Sequence, residues 1–245
     1  MTFNDKSPEE VIKYYEEHTI EMDDTFKFGC NICGACCRNR HEPIILTGYD
    51  LHRISKHLNK PAHEVADKYC KFHIGGSTHL PVLTIREREY DGSCSFLRKG
   101  RCELHLSKSK PVVCGLYPLG RFYSSDRKDV RYILQDNLCG NGSETHVVRD
   151  WLNDFGIDEL DDCSTLWQEI ILSAGEVTCN ISDEEQKALV ANVLAVYMYL
   201  NFNPDEDYVP QAEQNYEKIK EVLEVWQRVA GKATGGTIGE GTAYA

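Results

Sequence analysis

Helix-capping residues and helical apolar spacing mark three short helices in the first part of the chain. Ser7 and Glu10 form a capping box, so a helix is predicted over residues 8–17. Thr47-Gly48-Tyr49-Asp50 is a second capping signature, and apolar residues follow it at helical spacing. A third helix is predicted over residues 61–69.

Short apolar runs bounded by turn signals predict β-strands in the middle of the chain. Residues 82–89 and 130–134 have the composition of strands. Asp91-Gly92 and Lys99-Gly100 are turn signals, and strand-like pieces flank the second of them. These pieces predict small and irregular β-structure.

Beyond residue 142 the apolar pattern becomes helical. Ser182 with Glu185 is another capping box. Residues 188–200 are apolar at all but one position, which predicts a buried core helix because the run is too short to cross a bilayer. An amphipathic stripe over 216–226 predicts a last helix.

The charge of the chain is unevenly distributed. The formal net charge is -12, but residues 25–142 carry +8, whereas residues 1–24 carry -6 and residues 143–245 carry -14. The acidic total argues against a generic nucleic-acid binder. The chain has no apolar run long enough to span a membrane, and its N-terminus has no apolar signal core. We therefore expect a cytoplasmic protein without a nucleic-acid or membrane partner.

Eleven cysteines are the most unusual feature of the composition, and nine of them lie between Cys30 and Cys139. A secreted disulfide scaffold is usually shorter and has an even cysteine count, so reduced thiols that bind a metal are the simpler explanation. The first group, Cys30, Cys33, Cys36 and Cys37, forms a C-x2-C-x2-C-C run, a spacing that lets a short loop wrap one metal.

Thiolates at this spacing suit zinc and iron–sulfur clusters equally well. Bacterial ferredoxins use a C-x2-C-x2-C run for a four-iron cluster, which favours the iron–sulfur alternative here. Because adjacent residues point in different directions, Cys36 and Cys37 are not expected to ligate one ion together. One of the two would serve a second site or stay a free thiol.

A second group of thiols follows the first. It comprises Cys94, Cys102, Cys114 and Cys139. The two groups would complete two four-thiolate sites, or would serve one cluster plus redox or structural thiols. Positive side chains near the cysteines would compensate the buried negative charge of such sites. The candidates are Arg38, Arg40, Arg98, Arg101 and Arg121.

The remaining cysteines and several histidines are weaker candidates. Cys70, Cys163 and Cys179 are expected to be structural, because free cysteine is often a core residue. The alternatives are ligation by Cys70 with His73, and a ligand or supporting role for His41 and His105.

The ordered cysteine motifs resemble the YkgJ-type cysteine-cluster family. The resemblance covers roughly residues 28–142 and rests on these motifs: the C-x2-C-x2-C-C run, Asp91-Gly92-x-Cys94-x-Phe96-Leu97, Gly100-x-Cys102, Lys110-Pro111-x-x-Cys114 and Tyr117-Pro118. The family is described as zinc- or iron-chelating, and its module is shared with flagellin lysine N-methylases. One departure is Lys110, where the family commonly has arginine.

Three functions follow as expectations. The first is a metal-binding cysteine-cluster protein that holds a 4Fe–4S cluster or zinc. The second, implied by the resemblance, is an S-adenosylmethionine-dependent protein lysine N-methylase, although the chain has no glycine-rich strand–turn–helix fingerprint for that cofactor. The third is a metal-delivery or partner-binding module. Whether the protein is an enzyme, and which residues would be catalytic, stays open.

The predicted architecture combines these elements and this chemistry. We expect an α+β fold in which a small irregular cysteine-rich metal-binding module packs with mainly α-helical N- and C-terminal segments. The predicted divisions are an N-terminal helix (1–24), a cysteine-cluster metal-binding module (25–142), an acidic helical region (143–231) and a flexible glycine-rich tail (232–245).

Overall fold

The computed structural model describes residues 7–38, 43–76, 78–105, 107–123, 130–135 and 140–233. About 49% of the chain is helix and 21% is strand, which confirms the predicted α+β class. The helices are α1 (Pro8–Glu17), α2 (Gly48–Leu58), α3 (Ala62–Tyr69), α4 (Val112–Leu116), α5 (Val148–Phe155), α6 (Ile157–Thr178), α7 (Glu184–Ala195) and α8 (Tyr208–Ala233). The strands are β1 (Thr25–Gly29), β2 (Ile45–Leu46), β3 (Cys70–Ile74), β4 (Pro81–Ile85), β5 (Leu97–Arg98), β6 (Arg101–Cys102), β7 (Leu119–Tyr123), β8 (Val130–Leu134) and β9 (Asn141–Val147).

The chain divides into two compact units. The first, which we call the cysteine unit, comprises residues 1–41 and 87–158, and the second, the helical unit, comprises residues 42–86 and 159–245. Residues 42–86 lie in the middle of the segment predicted as the metal-binding module, yet they cluster with the C-terminal helices. The predicted division into domains stays a prediction.

Three antiparallel strand pairs build the cysteine unit, namely β1 with β9, β5 with β6 and β7 with β8. The core beneath the first pair is aromatic, because the ring of Trp151 packs edge-on against Phe26 and Phe28 with centroids 5.5 and 5.9 Å apart. The indole of Trp151 also donates a hydrogen bond to the carbonyl of Leu116, 3.0 Å away. This contact ties α5, which carries Trp151, to the end of α4.

The helical unit contains a three-stranded antiparallel sheet of order β2–β4–β3. Its core holds fully buried side chains from both the sheet and the helices, including Leu83 of β4, Val190 of α7 and Ile219 of α8. Between α7 and α8, residues Val196–Leu200 form one wider π-helical turn. The buried hydroxyl of Tyr199 in this turn donates a hydrogen bond to the carbonyl of Pro81, 3.2 Å away, and so joins the turn to the sheet.

Most helices predicted from caps and apolar spacing are confirmed. Ser7 caps α1 and Thr47 caps α2, each with the reciprocal bond of a capping box. The cap predicted for α7 is wrong by one residue. Asp183, not Ser182, occupies the cap position, and its carboxylate accepts a hydrogen bond from the backbone of Gln186 at 2.8 Å.

The predicted strand over 82–89 is longer than the observed strand β4, which ends at Ile85. Beyond it, Glu87 makes an isolated bridge with Cys94 instead of continuing the sheet. The tail beyond residue 233 lies outside the described residues, so the expectation of flexibility is not tested. Among the helices described, none has both the length and the apolar composition that a membrane span requires.

Candidate metal centre

Strand β1 leads directly into the loop that carries the first four cysteines. The strand ends at Gly29, and Cys30 follows it. A short 3₁₀ turn, Ala35–Cys37, then carries the last two cysteines of the run, and Gly34 precedes this turn in a left-handed conformation at φ 70°. The turn buries Cys37, whereas Cys36, like Cys30 and Cys33, is exposed.

The second cysteine segment is held against this turn by its backbone. The backbone amide of Cys94 donates a hydrogen bond to the carbonyl of Cys37 at 2.8 Å. Strands β5 and β6 then form a hairpin in which Leu97 pairs with Cys102. The Lys99-Gly100 turn at its tip was predicted from sequence and is confirmed, with both residues at positive φ. The backbone bond therefore holds Cys94 next to the first turn, and the hairpin carries Cys102, whose thiol interacts with Cys37.

Helix α4 contributes a further thiol. Pro111 stands at its N-cap position, and the backbone amide of Cys114 bonds to the carbonyl of Pro111 at 2.9 Å. The helix is short, but Leu116 is buried and its carbonyl accepts the indole bond of Trp151. The first turn of α4 thus holds Cys114 in a fixed place.

The thiol of Cys37 is the centre of a group of interacting thiols. Its pKa is raised far above the usual range, chiefly because it donates a hydrogen bond to Cys102, and further because of Cys36, Cys94 and burial. The pKa of the Cys102 thiol is lowered for the complementary reason, because that sulfur accepts the bond from Cys37. Four thiols from three separate stretches of sequence therefore meet at Cys37.

Cys114 lies within electrostatic reach of this group. Burial of its thiol raises its pKa to about 12, and the negative charge of Cys94 adds to the increase. The positive charge of Lys110 acts in the opposite direction on Cys114 and also lowers the pKa of Cys102. Lys110 is therefore a cation that faces two of the candidate ligands.

Cys36 and Cys37 were not expected to ligate one ion together, because adjacent side chains point in different directions. Adjacent side chains do differ in environment here, since Cys36 is exposed and Cys37 is 8% exposed. Their thiols nevertheless interact, and Cys36 is the second largest contributor to the raised pKa of Cys37.

The interactions described for Cys37 involve Cys36, Cys94 and Cys102. Cys30 and Cys33 are exposed, and Cys139 lies outside the described residues. Within the described part of the chain, no three His, Cys, Asp or Glu side chains are already arranged to hold one ion. The thiols around Cys37 are thus hydrogen-bonded to one another rather than fixed in a ligand cage.

The arginines predicted to compensate the negative charge of the site have different surroundings. Arg98 pairs with Glu103 at 3.5 Å across the hairpin, and Arg38 donates a hydrogen bond to the carbonyl of Cys33 at 2.8 Å. Arg40 lies outside the described residues. Lys110, which belongs to the Lys110-Pro111-x-x-Cys114 motif, is a further positive charge, and it acts on both Cys102 and Cys114.

The weaker candidates lie elsewhere. Cys70 is 1% exposed at the start of β3, and Cys163 is 2% exposed in α6, both in the helical unit. The ring of His73 contacts the hydroxyl of Thr84 at 3.0 Å. In the cysteine unit, burial together with Lys110 lowers the pKa of His105, which favours its neutral form.

The donor set fits a thiophilic metal in its chemistry. No disulfide links the cysteines described, so their sulfur atoms can serve as ligands once a metal displaces the thiol protons. Soft thiolate ligands select zinc, copper(I) or iron–sulfur clusters over magnesium or calcium. The interacting thiols Cys36, Cys37, Cys94 and Cys102, with Cys114 beside them, are the residues that would hold such a metal.

Comparison with known proteins agrees with this chemistry. Residues 29–140 match the CxxCxxCC family model, which is described as "Putative zinc- or iron-chelating domain". The resemblance predicted from the cysteine motifs is thereby confirmed. The match indicates a zinc- or iron-chelating domain and does not distinguish between the two metals.

A curated relative covers part of the same chain. The uncharacterized protein MJ0661 of Methanocaldococcus jannaschii is 31% identical over 91 residues, which span 37% of this chain and 44% of that protein. The chain therefore matches less than half the length of this relative. No solved structure matches the chain.

Proposed function

We propose that the segment matching the zinc- or iron-chelating family model binds an iron–sulfur cluster, with zinc as the alternative metal. The observation that carries the proposal is that three thiols, Cys36 of the C-x2-C-x2-C-C run and Cys94 and Cys102 of the second segment, interact with Cys37. Reduced thiols that meet in a partly buried place are well suited to metal ligation.

The number and spacing of the thiols favour the cluster over zinc. A structural zinc site takes four ligands, whereas the two predicted groups contain eight cysteines. The C-x2-C-x2-C part of the run has the spacing of four-iron ferredoxin sites. We therefore propose a 4Fe–4S cluster, with ligands drawn from Cys30, Cys33, Cys36, Cys37, Cys94, Cys102, Cys114 and Cys139.

The metal and the surrounding residues would have separate roles. A bound cluster would supply one-electron chemistry, whereas zinc would supply a cross-link between segments. The chain's own residues define the environment of the thiols. The Cys94–Cys37 backbone bond joins the two cysteine segments, and Lys110 provides positive charge beside Cys102 and Cys114. This arrangement supports a structural or electron-transfer role.

Anaerobic purification of the whole chain, followed by metal analysis, sulfide determination and a visible spectrum, tests the proposal. We expect a brown protein with iron and acid-labile sulfide in nearly equal amounts. Colourless protein with stoichiometric zinc and no sulfide would establish the zinc alternative instead. Protein that retains neither metal, and that takes up neither after reconstitution, would refute metal binding altogether.

A further inference from the structure

Arg38 is hydrogen-bonded to the first cysteine segment and lies next to the second. Its Nη1 atom donates a hydrogen bond to the carbonyl of Cys33 at 2.8 Å. A Cβ atom built on Gly34 would lie only 2.9 Å from the same Nη1, so the guanidinium occupies the space next to this glycine. The arginine therefore packs against the backbone of the C-x2-C-x2-C-C loop at two consecutive residues.

The guanidinium also lies close to the hairpin. A Cβ atom on Gly100, in the β5–β6 turn, would lie 3.7 Å from Nη2 of Arg38. The loop and the turn also approach each other directly, because a Cβ atom on Gly34 would lie 3.1 Å from the carbonyl oxygen of Gly100. Both glycines have positive φ, 70° and 78°, so both backbones depend on the absence of a side chain.

The charge of Arg38 reaches the start of the second segment as well. Hydrogen bonds from Ser93 lower the pKa of Asp91 most, and the positive charges of Arg88 and then Arg38 add to that effect. Asp91 belongs to the turn that precedes Cys94. Arg38 is thus bonded to the first loop and lies next to the turn before Cys102, and its charge acts on the turn before Cys94.

We propose that Arg38 is a positioning residue, whose planar guanidinium holds the Cys33 backbone against the β5–β6 turn and so sets the place of the first-loop thiols relative to Cys94 and Cys102. The expected effect on metal affinity rests on the proposed metal-binding function, whereas the position of Arg38 is a property of the protein without metal. A lysine at this position would keep the charge and lose the planar group whose Nη1 atom lies at the loop and whose Nη2 atom lies at the turn.

The test compares Arg38→Lys and Arg38→Ala with the matched control Arg98→Lys. Arg98 lies in the same hairpin and is exposed, and its ion pair with Glu103 at 3.5 Å connects residues of that hairpin only. Metal affinity is measured with Co²⁺ as the probe, by competition with a chromogenic chelator, and the cobalt–thiolate absorption reports the number of thiolate ligands. Cys33→Ser provides the reference spectrum for the loss of one thiolate.

We expect both Arg38 variants to bind Co²⁺ roughly 10- to 100-fold more weakly, which is the usual cost of losing a residue that orients ligands. Their spectra should resemble that of Cys33→Ser, while the control keeps the wild-type affinity and spectrum. Wild-type spectra and affinity in Arg38→Lys would overturn the positioning role. They would show that the charge alone suffices, provided that Arg38→Ala is impaired.

A second measurement on the metal-free protein separates this inference from the proposed function. The rate of alkylation of Cys33 is compared with that of Cys179, an exposed thiol of the helical unit, by mass spectrometry. We expect alkylation of Cys33, but not of Cys179, to be severalfold faster in both Arg38 variants. If wild-type protein binds no metal but this difference appears, the proposed function fails and the positioning role stands. Equal rates in all variants would overturn the positioning role.

Discussion

Replacing Cys37 by serine removes the thiol on which the others converge. The Cys37 sulfur interacts with Cys102, Cys36 and Cys94, so its loss deprives the proposed site of its central ligand. Four-ligand structural zinc sites in small domains bind with about 10–16 kcal/mol, or roughly 2.5–4 kcal/mol for each ligand. Loss of one thiolate should therefore weaken binding by roughly 10²–10³-fold.

The assay measures zinc affinity of reduced, metal-free protein by chelator competition, and iron and sulfide content after anaerobic purification. Cys70→Ser is the matched control, because Cys70 is also a buried cysteine, 1% exposed, but lies in the helical unit. Both substitutions place a hydroxyl in a buried position and should cost about 1–3 kcal/mol of folding stability. Only Cys37→Ser should also lose metal.

Wild-type metal binding by a folded Cys37→Ser variant would contradict this prediction. If Cys37→Ser folds and binds zinc with wild-type affinity, and keeps the wild-type iron content, the thiol group around Cys37 is not the metal site. If both variants lose metal equally, the loss reflects reduced stability rather than ligation. Thermal unfolding of the metal-free variants, followed by circular dichroism, distinguishes that case.

Two further predictions concern packing and pH. Gly115 in α4 has no room for a side chain, because a Cβ atom there would collide with the ring of Phe155. Gly115→Ala should therefore lower the free energy of unfolding by about 1–3 kcal/mol and also lower the metal content. At the control position, Gly175 in α6, the nearest atom to a Cβ would be 4.0 Å away, so Gly175→Ala should be neutral or slightly stabilising. Urea unfolding checks both variants, and equal stabilities would contradict the packing argument. Burial raises the pKa of Tyr199, so the folded protein keeps a proton that the unfolded chain releases near pH 10, and stability should fall as the pH rises above that value. Tyr199→Phe should reduce this fall by about 1 kcal/mol between pH 10 and pH 11, and an unchanged difference between the unfolding free energies at the two pH values, measured with denaturant, would refute the assignment.

Helix caps and tight turns could be predicted, because each depends on residues that are close together in the sequence. The caps at Ser7 and Thr47 and the turn at Lys99-Gly100 depend on a few neighbouring residues, and the structure has each of them where the sequence predicts it. Strand β9 was missed, because residues 141–147 become a strand only by pairing with β1, more than 110 residues earlier in the chain. Non-local pairing leaves little trace in a single sequence.

The candidate site was likewise predicted only in part. The spacing of the cysteines identified candidate ligands and the class of metal, because both follow from ligand chemistry. Spacing did not predict that Cys37 would be the meeting point or that Lys110 would face Cys102 and Cys114. Those relations depend on a backbone bond between Cys94 and Cys37 that joins separate segments.

The sequence by itself indicated the zinc- or iron-chelating character of the segment that the family model matches, residues 29–140, and the helices that carry their own caps. Only the tertiary structure decided which thiols meet, and that residues 42–86 cluster with the C-terminal helices instead of with the cysteines on either side of them. The physical reason is that ligand chemistry and capping act over a few bonds, whereas convergence depends on burial and pairing between distant segments. Bringing distant segments together costs conformational entropy, and only the interactions of the whole folded chain offset that cost.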